Sequence, residues 1–306
     1  MTNLKKLGLT ALAGSLVATT GYAGALDVTG AAKVSYVSAD TSETSGNPFS
    51  MTRDIAFTGS GEMDNGMTIS YDQLLSAGAF SSSGLKLDMG DAGTLSFANG
   101  TSQGHGIGAY EDKMPTAAEN VWDDMDGQAN GVLTKNGVNK IGYGSTFAGA
   151  NFSIDYNKQE DGGSAKSFGV DYAPADGAMV FLAMSDEYSG PSTSTGQATF
   201  GGTYTAGATT LGIQRTSIDF SAANSDVDRT HLAASFAVNE DLSVSLGMST
   251  VEFEAAAKVD QEDSGFSVSY TMGSMTIAAA ANASDNVGGT NGTDDTHKEM
   301  SIAFAF

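Results

Sequence analysis

The sequence predicts an all-β fold, a transmembrane antiparallel β-barrel of about 16 strands, and three observations predict it. Apolar and polar residues alternate with period two along most of the chain, as in strands with one apolar and one polar face. The connections alternate too, tight turns taking turns with long Ser/Thr/Asn/Asp/Gly-rich loops, as at the two ends of a membrane barrel. Beyond residue 25 there is no apolar run of about 18 residues to make a spanning helix. A closed barrel is then the remaining way to cross a bilayer with every backbone group satisfied.

Met1 to about Ala25 reads as a cleaved secretory signal. Lys5 and Lys6 make its basic start, Leu7 to Thr20 its apolar stretch, and Ala23-Gly24-Ala25 a small-x-small cleavage site, with an end at Ala23 as the alternative. Residues 26–306 are the expected barrel, with no second domain or linker. They carry 12 basic against 36 acidic residues, a net charge of −24. That balance opposes binding to nucleic acid or to anionic membrane surfaces, both of which call for basic patches. The absence of cysteine excludes a disulfide framework and thiolate metal sites.

In order, Leu26, Val28, Ala32, Val34 and Tyr36 share one face and Asp27, Thr29, Lys33 and Ser35 the other. Phe49, Met51, Ile55 and Phe57 follow, then the Asp64-Asn65-Gly66 turn, a strong hairpin signal, and a return through Met67, Ile69 and Tyr71. Leu85, Leu87 and Met89 lead through Gly90–Gly93 to Leu95 and Phe97. Ile141 and Tyr143 pair across Ala148-Gly149 with Phe152, Ile154 and Tyr156; Phe168, Val170 and Tyr172 come next. Later apolar faces are Phe200 with Tyr204, Leu211 with Ile213, Leu232 with Phe236, Leu242 to Met248, Phe266 to Tyr270, and Met300, Ile302, Phe304 and Phe306. Met179 to Met184 is apolar on both parities, which leaves its register open. Arg53 and Arg215 fall on the apolar parity and belong at a rim, because a mid-bilayer arginine costs roughly 2–4 kcal/mol.

Between Gly100 and Gly137 the alternation stops. The segment holds Trp122, Met114-Pro115 and six acids, Glu111, Asp112, Glu119, Asp123, Asp124 and Asp126, against two bases, Lys113 and Lys135. A wall of 16 strands has a diameter of roughly 32 Å, too wide for wall side chains to fill. A long irregular insertion after the fifth strand is placed to fold inward and narrow it, so residues 100–137 are expected to form a constriction.

The stretch Phe57–Gly66, the long third outer loop and the terminal aromatic strand ending in Phe306 resemble the Gram-negative general diffusion porins, particularly the alphaproteobacterial type. The resemblance implies a homotrimer in outer-membrane lipid, passing small hydrophilic solutes and ions through a water-filled channel. It also implies loop acids facing wall bases across that channel. Inward parity offers Lys33, Lys86, Lys140 and Arg229 as the bases, with His231, and Asp27, Asp54, Asp72, Asp88, Asp155 and Asp171 among the acids. The acidic balance points to cation preference.

Other chemistry finds less support. Asp124 and Asp126 are the carboxylates that calcium would use, but no Glu closes a twelve-residue calcium loop. His105, His231 and His297 lack zinc-site spacing. Gly104–Gly108 lacks the strand, helix and lysine of a phosphate loop. No cofactor is expected. A hydrolase would need a nucleophile, histidine and acid together, and His231 alone reads as a lumen-facing strand histidine. A structural or adhesive barrel with a plugged lumen is the alternative.

Overall fold

The computed structural model describes residues 26–39, 47–100, 104–111, 113–123, 125, 131–133, 139–158, 163–188 and 194–306. The signal stretch therefore lies outside the described residues. Sixteen strands form one closed antiparallel barrel in which every strand pairs with its sequence neighbours. They are β1 Leu26–Ala39, β2 Phe49–Glu62, β3 Thr68–Ser76, β4 Ala79–Asp88, β5 Thr94–Asn99, β6 Lys140–Phe147, β7 Ala150–Lys158 and β8 Ser164–Ala175. Then come β9 Ala178–Tyr188, β10 Ser194–Ala206, β11 Thr209–Phe220, β12 Val227–Ala237, β13 Leu242–Phe253, β14 Gln261–Met272, β15 Met275–Asp285 and β16 Asp295–Ala305.

Closure is made by β1 against β16, with Ala31 opposite Ala305 and Tyr36 opposite Met300. Gly30 and Phe306 exchange backbone hydrogen bonds of 2.6 and 2.9 Å. A Cβ on Gly30 would stand 2.6 Å from the Phe306 ring, so the glycine makes room for the last side chain. Closing the sheet removes both edges, which is what lets strands sit in a membrane.

The period-two pattern turns the apolar residues outward. Phe152, Ile154 and Tyr156 on β7, Leu211 and Ile213 on β11, and Leu246 and Met248 on β13 are all exposed on the outer face. In a soluble chain such a surface would be a severe liability; here it forms the apolar band that a bilayer covers. Arg215 stays on that face by ion pairing with Asp228 at 3.1 Å and Glu252 at 3.0 Å. Arg53 reaches the Ala77 carbonyl at 3.5 Å. Both are satisfied near the end where the long loops emerge.

One outer connection departs from the long-loop rule. β3 and β4 join through Ala77-Gly78 alone, with φ of 51° and 86°. Two successive positive φ values make the tight hairpin turn whose twist matches the strands. The hairpin therefore ends lower than its neighbour β2.

The Met179–Met184 ambiguity has a structural cause. Val180, Leu182 and Met184 face out, while Phe181 and Ala183 face in and are buried. That inward surface is apolar because the long insertion packs on it.

Candidate pore constriction

Inside the barrel the segment after β5 folds against the wall and brings its own apolar core. Ile107, Tyr110, Met114, Val121, Trp122 and Val132 are buried with Phe181, Ala183, Val227 and Val251 of the wall. Tyr110 stacks on Phe181 at 5.4 Å between ring centroids. Trp122 lies against His231 at 4.2 Å. The third loop is thus fixed by burial of aromatic and aliphatic area, the strongest nondirectional force available to it.

Wall side chains then bond the loop's backbone, strand after strand. Ser153 on β7 accepts from Gly106 N at 3.1 Å, and Ser167 on β8 accepts from Ile107 N at 2.9 Å. Gln197 on β10 both accepts from Leu133 N and donates to its carbonyl, each at 2.9 Å. Gln214 on β11 donates to the Tyr110 carbonyl at 3.1 Å. Ser245 on β13 and Ser267 on β14 accept from Ala117 N at 2.9 Å and Ala118 N at 3.1 Å. Asn282 on β15 donates to the Asn120 carbonyl at 3.2 Å. A loop without sheet partners must pair its buried amides and carbonyls somewhere, and these serines and amides do it.

Between those anchors the wall is glycine. A Cβ on Gly142 or Gly144 of β6 would stand 2.7 or 2.8 Å from the His105 ring. On Gly247 and Gly265 it would meet Val121 at 2.6 and 2.8 Å. Gly169 faces Tyr110 and Gly212 faces Pro115 in the same way. The inner wall between β6 and β14 carries a track of missing side chains in which the loop lies.

The acids divide accordingly. Glu111, Glu119 and Asp123 are partly exposed, and Asp123 accepts a capping bond from Asn120 N at 2.8 Å. Asp112, Asp124 and Asp126, with the two calcium candidates among them, lie outside the described residues. On the wall that the loop does not cover, Asp27 and Asp88 are exposed to the lumen, and Asp54 and Asp72 are partly exposed. Lys86 lines a 230 Å³ recess there with Asp27, Ser70 and Asp72. Lys33 is part-exposed and bonds Glu299 at 3.0 Å.

Two of the expected wall bases do not line the water. Lys140 is 2% exposed and paired to Asp155 at 3.5 Å, and Arg229 is 1% exposed. Both point inward as their parity requires, but onto the strip of wall behind the loop. His231 is likewise buried, under Trp122, and His297 on β16 also faces in and is buried. His105, within the glycine-rich Gly104–Gly108 stretch, seats the loop's first turn against Gly142 and Gly144. Burial, and after it the Lys86 ammonium, hold the His105 imidazole below its ordinary pKa against the opposing pull of Asp155.

No family model matches the sequence, and no curated protein matches it. Solved structures do. A porin refined at 1.8 Å resolution superposes with a TM-score of 0.71 at 14% identity, covering 92% of this chain and all of that one. The fold is the porin fold. The anion-selective porin of Comamonas acidovorans matches at 0.67 and 15% identity, over 92% of this chain and 100% of that one. OmpT in its trimer form, an outer membrane protein of Vibrio cholerae, matches at 0.70 and 12%, over 93% and 100%. At such identities it is the porin architecture that is shared.

Proposed function

We propose that the chain is an outer-membrane porin of the general-diffusion kind, exported after cleavage near Ala25, passing small hydrophilic solutes and ions with a preference for cations. The observation that carries the reading is a closed sixteen-stranded barrel whose third loop is pinned inside it along one side. A barrel of this width cannot be filled by its wall, and a loop pinned along one side narrows it.

Charge supports the cation preference. Glu111, Glu119 and Asp123 on the loop stand in the same lumen as Asp27, Asp54, Asp72 and Asp88 on the uncovered wall. Against them that wall offers Lys86 and an already paired Lys33. With Lys140 and Arg229 buried, the basic side of the passage is thin, so both sides favour cations. The Comamonas relative is anion-selective by its own description; the charges here run the other way.

Assembly as a homotrimer has its own support. The β3–β4 hairpin stops at Ala77-Gly78, level with Arg53. Above it the outer face of β1 and β2 stays apolar through Val34, Met51, Tyr36 and Phe49, the last two rings 5.4 Å apart. An apolar face rising beside a low hairpin suits the wall of another copy better than a headgroup layer.

Single-channel recording in planar bilayers tests the pore reading, with stepwise, ohmic openings expected and silent insertion overturning it. Native mass measurement tests the trimer, and a monomer alone would overturn that part.

A further inference from the structure

Beneath the first turn of the loop lies an 830 Å³ cavity lined by Asp91, Tyr110, Lys113, Asn151, Ser153 and Asp171. Lys113 is the described loop's base. Its Nζ lies 5.5 Å from the Tyr110 ring centroid, and among the described residues it makes neither a hydrogen bond nor an ion pair.

Across the cavity Asp171 is held in place from two sides. The Tyr110 hydroxyl donates to its Oδ2 at 3.0 Å, and Asn151 Nδ2 donates to Oδ1 at 2.8 Å. Each oxygen keeps a further lone pair for a ligand. Burial, and then the adjacent Asp171 charge, push the Tyr110 hydroxyl's pKa up, so it stays a donor and Asp171 the acceptor. The aromatic ring between the two charges is buried against Phe181 and does not move freely.

We propose that this cavity is a recognition site for zwitterionic solutes of amino-acid and short-peptide size, whose carboxylate meets Lys113 and whose ammonium meets Asp171. A cation finds the Lys113 end repulsive and an anion the Asp171 end. A molecule carrying both charges satisfies both ends at once. The site rests on the pore reading above, since it is reached through the lumen.

The experiment is block of the ion current through single channels by alanyl-alanine, compared with its N-acetyl and its C-terminal amide forms. The free dipeptide is expected to block at the lowest concentration. K113Q is expected to raise its half-blocking concentration about tenfold, the loss of one charge-assisted bond, and D171N similarly. K166Q, on the outer face of β8, serves as the control and should change nothing. Y110F keeps the ring and removes the Asp171 clamp, and should weaken block less than K113Q does. Equal block by the three solutes, or unchanged block in K113Q, would overturn the site while leaving an open pore in place. Silent insertion would remove site and pore together.

Discussion

The inner wall has two halves built on one alternating pattern and used in opposite ways. From β6 to β15 serines, glutamines, an asparagine and glycines on the inward positions grip the loop, and the charged inward residues Lys140, Asp155 and Arg229 lie buried behind it. From β16 round to β4 they include Glu299, Lys33, Asp27, Asp54, Asp72 and Lys86, and most of them meet water. Period two says only that a side chain points inward. What it meets there depends on where residues 100–137 lie, which no local pattern in the wall reveals. The lesson is that small neutral inward residues mark a docking surface, and charged exposed ones mark the passage.

The largest effect should come from refilling the glycine track. Gly247→Val with Gly265→Val places branched side chains where Val121 now sits, so the loop must lift from β13 and β14. Single-channel conductance should rise well above wild type, with barrel assembly kept. The same change at Gly61, on the outward parity of β2, should leave conductance alone. If the double variant and the Gly61 variant behave alike, the track is not what seats the loop.

Next in size is Trp122→Ala. Emptying a buried aromatic site costs roughly 3–5 kcal/mol, and here the cost falls on the loop–wall contact, because Trp122 packs on His231 and not on the outer band. Proteolysis within residues 113–123 should quicken while the heat-denaturation midpoint of the barrel hardly moves. A large drop in that midpoint would mean that the loop core holds the barrel itself.

How much was readable beforehand follows from the same division. Strand number, closure through Phe306 and the inserted loop were legible, because outward apolar residues against lipid repeat strand after strand. Lys140 and Arg229 were not legible as buried, since their parity matches that of Lys86. The role of Ser245, Ser267 and Gln214 was hidden for the same reason: a polar inward residue reads as lumen. Phe181, Val227 and Val251 were the available clues, apolar residues on the inward parity, and they sit under the loop.

A smaller effect is expected from His105. Its pKa is lowered on folding, so its contribution to loop docking is complete above the unfolded value of 6.5 and is lost as pH falls from there toward the folded value. Open-channel noise should grow as pH drops from about 7 to about 5, and H105Q should abolish that dependence. Noise that is flat with pH in the wild type would contradict it.

The smallest is Lys33→Met. Its bond to Glu299 is half in water, and such pairs are worth about 0–1 kcal/mol. Stability should change little, while cation preference rises slightly as a lumen ammonium is lost.

The central claim, that a loop fixed on one wall sets what passes, is tested most directly by reversal potentials across a salt gradient. Glu111→Gln, Glu119→Gln and Asp123→Asn together should be compared with Glu254→Gln, Asp260→Asn and Asp294→Asn in the exposed outer loops. Charges farther from an ion than the Debye length of about 8 Å at physiological salt are largely screened, and only those at a narrowing escape this. The account predicts a clear fall in cation over anion permeability for the loop set, growing as salt is lowered, and little change for the outer set. Equal shifts from the two sets would contradict it.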